Sequence, residues 1–304
     1  MLTGPFLCHG VSWSRSGPSL TLASPQGAVT PMPLTGLPTF LGFRILSRSG
    51  ERFCLGYSKA LGANGRRSFP CPEQRTADRG YQCGPCFARD DFRFMHDVHR
   101  SGVAPESLTA YLAQDHWLYV ATFADGSTKV GTASDRSKWT RLAEQGAVVA
   151  RYVAHAEDGR VVRVLEDAVT RHAGLPQAVR SATKTAALFR PLASPEVDKE
   201  NREAAGVVHA LLAQGMDIDG FEPVEEQWEA PESWPVVLTA RAPVYPLSLD
   251  AGDHGGRVLA LLGQTALFEL PEARFLLNLT LLRGRRIELG AFRSAPVAVQ
   301  DELF

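Results

Sequence analysis

An α+β fold, β-rich at both ends around an α/β centre, is predicted for this chain of 304 residues from three features. Short apolar runs broken by Gly, Pro and Asp-Gly pairs fill the two ends, which is a strand-and-turn pattern. Runs with apolar residues every three to four positions fill the centre, which is a helix pattern. No fixed period repeats, and apolar stretches such as Leu276–Leu282 are far short of the roughly 20 residues a bilayer span needs. With 44% hydrophobic and 21% charged residues the chain can bury a sizeable core, so collagen, coiled coil, disorder and membrane classes are excluded.

In chain order, Leu20–Ala23 and Phe40–Leu46 read as strands of a β-rich part spanning 1–50. Residues 51–95 are loop-rich and carry four of the five cysteines. His96–Ala113 reads as one or two short helices, with Pro105 at a helix start. Trp117–Phe123, Asp125-Gly126 and Thr128–Gly131 spell strand, turn, strand. Asp135–Glu144 is the next helix, closed by Gly146, and Val148–His155 a third strand. Arg160–Gly174 has Val161, Leu165, Ala168 and Val169 on one helical stripe. Ser194–Gln214 is a further helix, with Ser194 as N-cap, Pro195 in the first turn and Gly215 past the end. Together 96–216 form an α/β core. Residues 217–250 are acidic and proline-spaced, which predicts a linker with edge strands. Val258–Leu262, Ala266–Glu269, Phe275–Leu279 and Arg286–Leu289 are closing strands of a β-rich part over 251–304.

The net charge of -1 hides a segregation. Residues 44–100 and 129–190 each hold 11 Lys and Arg against 6 Asp and Glu, whereas 191–254 hold 3 against 13. The basic stretches can furnish a face for an anionic ligand. Alternatively the acidic segment folds back and neutralises them.

Cys54, Cys71, Cys83 and Cys86 stand with 16, 11 and 2 residues between them, among Pro70, Pro72, Gly80, Gly84 and Pro85. A Cys-x-x-Cys turn supplies two of the four donors that tetrahedral Zn²⁺ requires, and a segment this poor in large apolar residues gains folding free energy from ligation. Structural zinc is the expectation; a redox pair at Cys83 and Cys86 or plain buried thiols are the alternatives. Cys8-His9, His96 and His99 are substitute ligands, and no role is assigned to Cys8. An odd cysteine count with no basic, apolar leader in MLTGPFLCHG leads us to expect a cytoplasmic protein rather than a secreted disulfide scaffold.

The centre, WLYVATFADGSTKVGTASDRSKWTRLAEQGA over 117–147, is a hairpin feeding a helix. Tyr119 lies on its first strand and Lys129-Val130-Gly131 on its second; Arg141 follows on the helix and Glu166 on the later one. This arrangement resembles the GIY-YIG nuclease fold, in which a Tyr, a Tyr-x-Gly, a helical Arg and a later metal-binding Glu form the site. Tyr119, Gly131, Arg141 and Glu166 match it; Lys129 stands where the second Tyr is expected, and RSATKTAAL lacks the Asn that follows the Glu. Over 40–290 the chain is also similar to an uncharacterised bacterial and archaeal family with a cysteine-rich front and a GIY-YIG-like core. Lys129–Gly131, Arg141–Ala147, Gly263-Gln264 and Leu277-Asn278 carry that similarity.

The resemblance implies a GIY-YIG-like small sheet with helices, flanked by a zinc-ribbon-like segment. It implies Tyr119, Arg141 and Glu166 as catalytic residues, with Mg²⁺ as a hard cation for Glu166; Lys129, in the place of the second Tyr, joins them as a candidate, and Gly131 with the nearby basic residues Lys138, Arg151 and Lys184 are candidate nucleic-acid contacts. A lysine at neutral pH clamps an anionic oxygen but serves as a base only if its pKa is lowered. The expected function is therefore RNA engagement, with tRNA the candidate class, and phosphoryl or aminoacyl-ester transfer or hydrolysis. Two alternatives stand: a non-catalytic zinc scaffold binding a protein partner through 217–232, and a metal-dependent hydrolase of a small metabolite. The Tyr/Lys/Arg/Glu site rests on one geometric expectation, that Tyr119, Lys129, Arg141 and Glu166 converge on one anion-sized hollow.

Overall fold

The computed structural model describes residues 4–34, 36, 38–62, 65–95, 97–214 and 217–297. The chain opens with β1 (Gly4–Ser14), β2 (Gly17–Ala23), β3 (Val29–Pro33) and β4 (Thr39–Ile45). A lobe follows with β5 (Tyr57–Ala60), β6 (Arg66–Phe69) and α1 (Gly84–Arg89). The centre holds α2 (Val98–Ser101), α3 (Glu106–Leu112), β7 (His116–Thr122), β8 (Thr128–Ser134), α4 (Lys138–Gln145), β9 (Val149–Ala156), α5 (Gly159–Ala173), α6 (Ser181–Ala187) and α7 (Ser194–Ala213). Then come β10 (Phe221–Gln227), α8 (Trp234–Leu238), β11 (Asp253–Leu262), β12 (Thr265–Glu269), β13 (Arg274–Asn278) and β14 (Arg286–Leu289).

The β-rich ends are one layer. Eight strands in the order β13-β12-β11-β4-β14-β1-β2-β3 form a wholly antiparallel sheet, with Gly4 paired to Leu289 across nearly the whole chain. A second antiparallel sheet has the order β10-β9-β7-β8. Because side chains alternate along a strand, its two faces carry different cores. Leu118, Val120, Val130 and Val153 pack with Val162, Leu165 and Val169 of α5 and Val208 of α7. Tyr119, Ala121, Phe123, Ala133 and Tyr152 face the other way, into the core shared with α4 and the large sheet. A train of rings, Trp13, Trp234, Trp228 and Trp139, with centroids 6.0, 5.4 and 6.2 Å apart, bridges the layers.

Several expectations change. Residues 217–250 do not form a linker: β10 is the edge strand of the small sheet, and Trp228, Trp234, Val237 and Tyr245 are buried in the shared core. The helix expected from Asp135 is a 3₁₀ turn over Asp135–Ser137 followed by α4. The N-cap of α7 is Ala193, not Ser194, because the helix already begins at Ser194. Strand β1 and helix α6 were not anticipated. His96 and Gly215 lie outside the described residues. Among the described residues, no helix is long and apolar enough to cross a membrane.

Candidate metal centre and cation-lined hollow

The lobe over 51–95 holds the cysteine group. Cys54 enters from a loop whose Gly56 N–H donates to its Sγ at 3.3 Å. Cys71 opens a turn closed by Gln74 N–H on its carbonyl; Cys83 is the N-cap of α1 and Cys86 lies in its first turn, which also holds Pro85. The four sulfurs lie within 4.8 Å of one another, and Cys71 and Cys83 are 3.9 Å apart. A tetrahedron with metal–sulfur bonds of about 2.3 Å has sulfurs about 3.8 Å apart, so the cage fits a metal ion. All four thiols are buried, and their own cluster contains otherwise only a partly buried Tyr57. Burial pushes the Cys54 thiol up to about 11, so ion binding here must displace protons. His99 is not part of the group: its Nε2 lies 3.0 Å from Asp167 Oδ2, which ties α2 to α5. Cys8 sits apart in the core of the large sheet, where burial pushes it up to about 12.

The second feature lies where the sheets meet. Tyr119 is fully buried, and its ring lies across Gly131: a Cβ at Gly131 would come within 2.5 Å of the Tyr119 hydroxyl. That close approach requires glycine. The hydroxyl is held by Gln145, whose Nε2 donates to it at 2.8 Å. On the same face, Lys129 is only 5% exposed; its Nζ stands 5.5 Å from the Tyr119 ring centroid and donates to the Gln177 carbonyl at 3.1 Å. Lys184 on α6 donates to the Gln145 carbonyl at 3.1 Å and lies 4.0 Å from the Phe123 ring centroid. Burial first, then repulsion from Lys129 and Arg141, brings Lys184 down to about 7.

Lys184 lines a cavity of about 190 Å³ with Glu144, Gln145, Ser181, Gln264 and Thr280. Gln264 belongs to the β11–β12 turn and is pinned to β1: its Nε2 donates to Val11 O at 2.8 Å and its Oε1 accepts from Val11 N at 3.1 Å. Asn278 Nδ2 donates to Ser181 Oγ at 3.1 Å, and Ser181 Oγ lies 3.0 Å from Thr280 Oγ1. Burial raises the Glu144 carboxyl, against the Trp13 backbone and the charges of Arg141, Arg66 and Arg283. At the floor, backbone meets backbone: a Cβ on Gly263 would lie 2.7 Å from Gly146 Cα. The Glu144-Gln145-Gly146 run and Gln264 therefore line one space, with Asn278 behind Ser181.

The structure does not bring all the expected residues here. Of them only Lys184 lines the cavity; Tyr119 stands behind Gln145 with Gly131 and Lys129 beside its ring, and Arg141 is exposed on α4, close enough to act on Lys184. Glu166 is carried by α5, which covers the opposite face of the small sheet, and its Oε2 is 2.6 Å from Arg163 Nη1. The expected convergence of these four side chains on one hollow is therefore not found, because the alternation of β7 and β8 places Tyr119 and Lys129 away from α5 and Glu166. Two residues expected at nucleic acid are engaged internally. Arg151 is bound by Asp198 and Asn201 of α7 at 2.6 and 2.7 Å. Lys138 pairs with Glu226 at 2.6 Å and lies 3.1 Å from the Trp117 ring centroid.

Glu144, Gln145, Ser181 and Thr280 were not singled out as site residues. The motif pairs at 263–264 and 277–278 were the available signal, but sequence spacing does not show that they share a cavity with α4. No family model, curated protein or solved structure matches the chain.

Proposed function

We propose that this chain engages RNA, with tRNA the class in view, by holding an anionic oxygen in the hollow that Lys184 lines, with Lys129 and Arg141 near enough to act on Lys184 through their charge. A single observation carries the reading. The ammonium groups of Lys129 and Lys184 donate to the backbone carbonyls of Gln177 and Gln145, and no carboxylate is hydrogen-bonded to either among the described residues. Removing cations from water without a counter-ion is costly, and a bound anion offsets that cost.

The reaction class is phosphoryl or aminoacyl-ester transfer or hydrolysis. The position of Glu166 favours a form of it that needs no Mg²⁺ bridging Glu166 and Tyr119. Burial and the neighbouring cations bring Lys184 down to about 7, so a seated anion favours its charged form. Lys129 and Arg141 then stabilise the negative oxygen that develops. A GIY-YIG-like relationship is supported by the succession β7, β8, α4, β9, α5 on an antiparallel sheet. The cysteine cage is read as a structural, zinc-ribbon-like Zn²⁺ site.

The alternatives receive less support. Part of the acidic segment is engaged internally, through β10 pairing and the contacts of Glu222 and Glu226 with His155 and Lys138. The cavity is smaller than the roughly 300–1,000 Å³ that takes a whole small molecule.

The test is the salt dependence of RNA binding. Several phosphate contacts predict a steep linear fall of log affinity with log salt, and Lys184→Met is expected to flatten it. Absence of RNA binding at low salt contradicts the reading. Metal analysis should return about one zinc per chain. Chelation should leave residues 51–95 open to protease while the small sheet stays protected; no metal and no change on chelation would remove the zinc.

A further inference from the structure

A surface of rings and arginines lies on the lobe over 51–95, and none of its residues lines the hollow; what it binds deepens the RNA reading above and rests on it. In the hairpin of β5 and β6, Tyr57 stands opposite Phe69, and Lys59 opposite Arg67. Directly opposed residues share a face, and so do residues two apart along a strand, so these four side chains occupy one face of the hairpin. Ala60 belongs to the other face, which packs on Leu108 and Leu112 of α3. The rings of Tyr57 and Phe69 have centroids 5.2 Å apart and planes 14° from parallel. Both are half-buried, so the pair forms a nearly flat ledge with part of its surface in water.

Cations flank the ledge at both ends. Arg67 Cζ lies 5.3 Å from the Phe69 centroid and Arg89 Cζ 6.0 Å from the Tyr57 centroid. Those distances exceed the roughly 3.5–4.0 Å of a stacked contact, so neither guanidinium lies flat on its ring. Both arginines are exposed, and among the described residues neither is paired with a carboxylate, because the nearby acids are engaged elsewhere. Asp91 takes Lys59 at 2.7 Å, and Asp90 accepts from the Ser58 and Phe92 backbone and from Gln82. Like charges directly across two strands repel; Asp91 offsets this at Lys59 and leaves Arg67 open to an external anion. The cysteine cage sets the ledge in place. Cys54 precedes Tyr57 by three residues, Cys71 follows Phe69 by two, Cys86 precedes Arg89 by three, and Tyr57 packs against the cysteine group.

The order arginine, ring, ring, arginine suits one strand of nucleic acid, whose bases stack on aromatic rings while its phosphates meet the guanidinium groups. A duplex hides its base faces and offers such a ledge only phosphates. We propose that Arg67, Phe69, Tyr57 and Arg89 form a docking surface for single-stranded RNA, held in shape by the cysteine cage and separate from the hollow beside Lys184.

The experiment measures binding of a short fluorescent oligouridine to the full chain across a range of salt, with an RNA duplex of the same length and inorganic polyphosphate as further probes. The wild-type chain should bind the single strand about tenfold or more tighter than either of the others. Arg67→Gln combined with Arg89→Gln should weaken single-strand binding about tenfold or more and reduce the salt slope by about 1.4, the share of two phosphate contacts on a single strand. Both positions are exposed, so this variant keeps the fold. Phe69→Leu keeps the apolar bulk and should cost about fivefold or more with the slope unchanged. Wild-type affinity in the double-arginine variant, with binding weakened by Lys184→Met, overturns the docking surface and leaves the hollow as the RNA site. The reverse pattern upholds the surface and overturns the hollow. Equal binding of single strand, duplex and polyphosphate, with Phe69→Leu neutral, reduces the patch to bare charge and overturns the proposal. No binding of any probe at low salt overturns both readings.

Discussion

Two groups of cations on one small sheet have opposite fates. On the β9–β10 side, Lys138 meets Glu226, Arg151 meets Asp198 and Asn201, and His155 meets Glu222. On the β8 side, Lys129 and Lys184 donate, among the described residues, only to backbone carbonyls. Both groups come from the same basic stretch of sequence, and both are largely withdrawn from solvent. The difference teaches that a basic segment is not one surface. The acidic arm folds back and neutralises one side, and what it leaves unpaired marks where an external anion belongs.

If that comparison is right, breaking the paired side should cost stability and breaking the unpaired side should cost ligand. The largest stability effect is expected from Asn201→Ala. Asn201 is fully buried, holds Arg151, and donates to Thr122 Oγ1 at 2.9 Å, so its loss strands several polar groups. A destabilisation of about 2–3 kcal/mol is expected by denaturant unfolding. A change below a few tenths would show that the paired side is not structurally coupled.

Lys184→Met should act in the opposite direction. Removing a half-buried cation with no carboxylate partner is expected to stabilise the fold by about 1 kcal/mol at pH 7, while anion binding is lost. The sign has a pH signature. Lys184 is depressed to about 7 by burial, then Lys129 and Arg141, with Glu144 facing the same cavity, so its folded-state pKa lies below its unfolded value near 10.5. The cost of its charge is full below about pH 7 and fades as pH rises towards 10.5, where the amine is neutral in both states. Wild-type stability should therefore gain on Lys184→Met through that window, measured by unfolding both at pH 6.5 and 9.5. A constant difference would mean that Lys184 titrates as an ordinary surface lysine.

The smallest effect sharpens the contrast. Glu226 is half exposed, so Glu226→Gln should cost less than about 1 kcal/mol, and salt should erase the difference. A larger loss would mean that the acidic arm organises the small sheet rather than merely neutralising it.

The residues explain why some of this was readable in advance. The hairpin of β7 and β8 follows from an alternating pattern closed by Asp125-Gly126, and the cysteine cage from a Cys-x-x-Cys with two earlier thiols. Strand β1, GPFLCHGVSWS, is interrupted by glycines that suit its bulge at Cys8 and Gly10, and its partner β14 lies at the other end of the chain. Local pattern cannot supply that pairing. Helix α6 carries little apolar periodicity because only Thr185 is buried on it. Glu166 shows the same limit at the site. Its position after VL in a helix matched a metal-binding motif, but which face α5 covers depends on strand parity two elements away. Lys184 is a candidate anion contact in the sequence alongside Lys138 and Arg151; only the fold separates it from them, within reach of the charge of Lys129 and with no carboxylate hydrogen-bonded to it among the described residues.

The central claim is that Lys184 is a cation held in wait for an anion. Nitrogen or carbon NMR at the Lys184 side chain, titrated against pH with and without inorganic phosphate, tests it directly. The account predicts a midpoint near 7 that moves upward when phosphate binds. A midpoint in the ordinary lysine range, unmoved by phosphate, would contradict it.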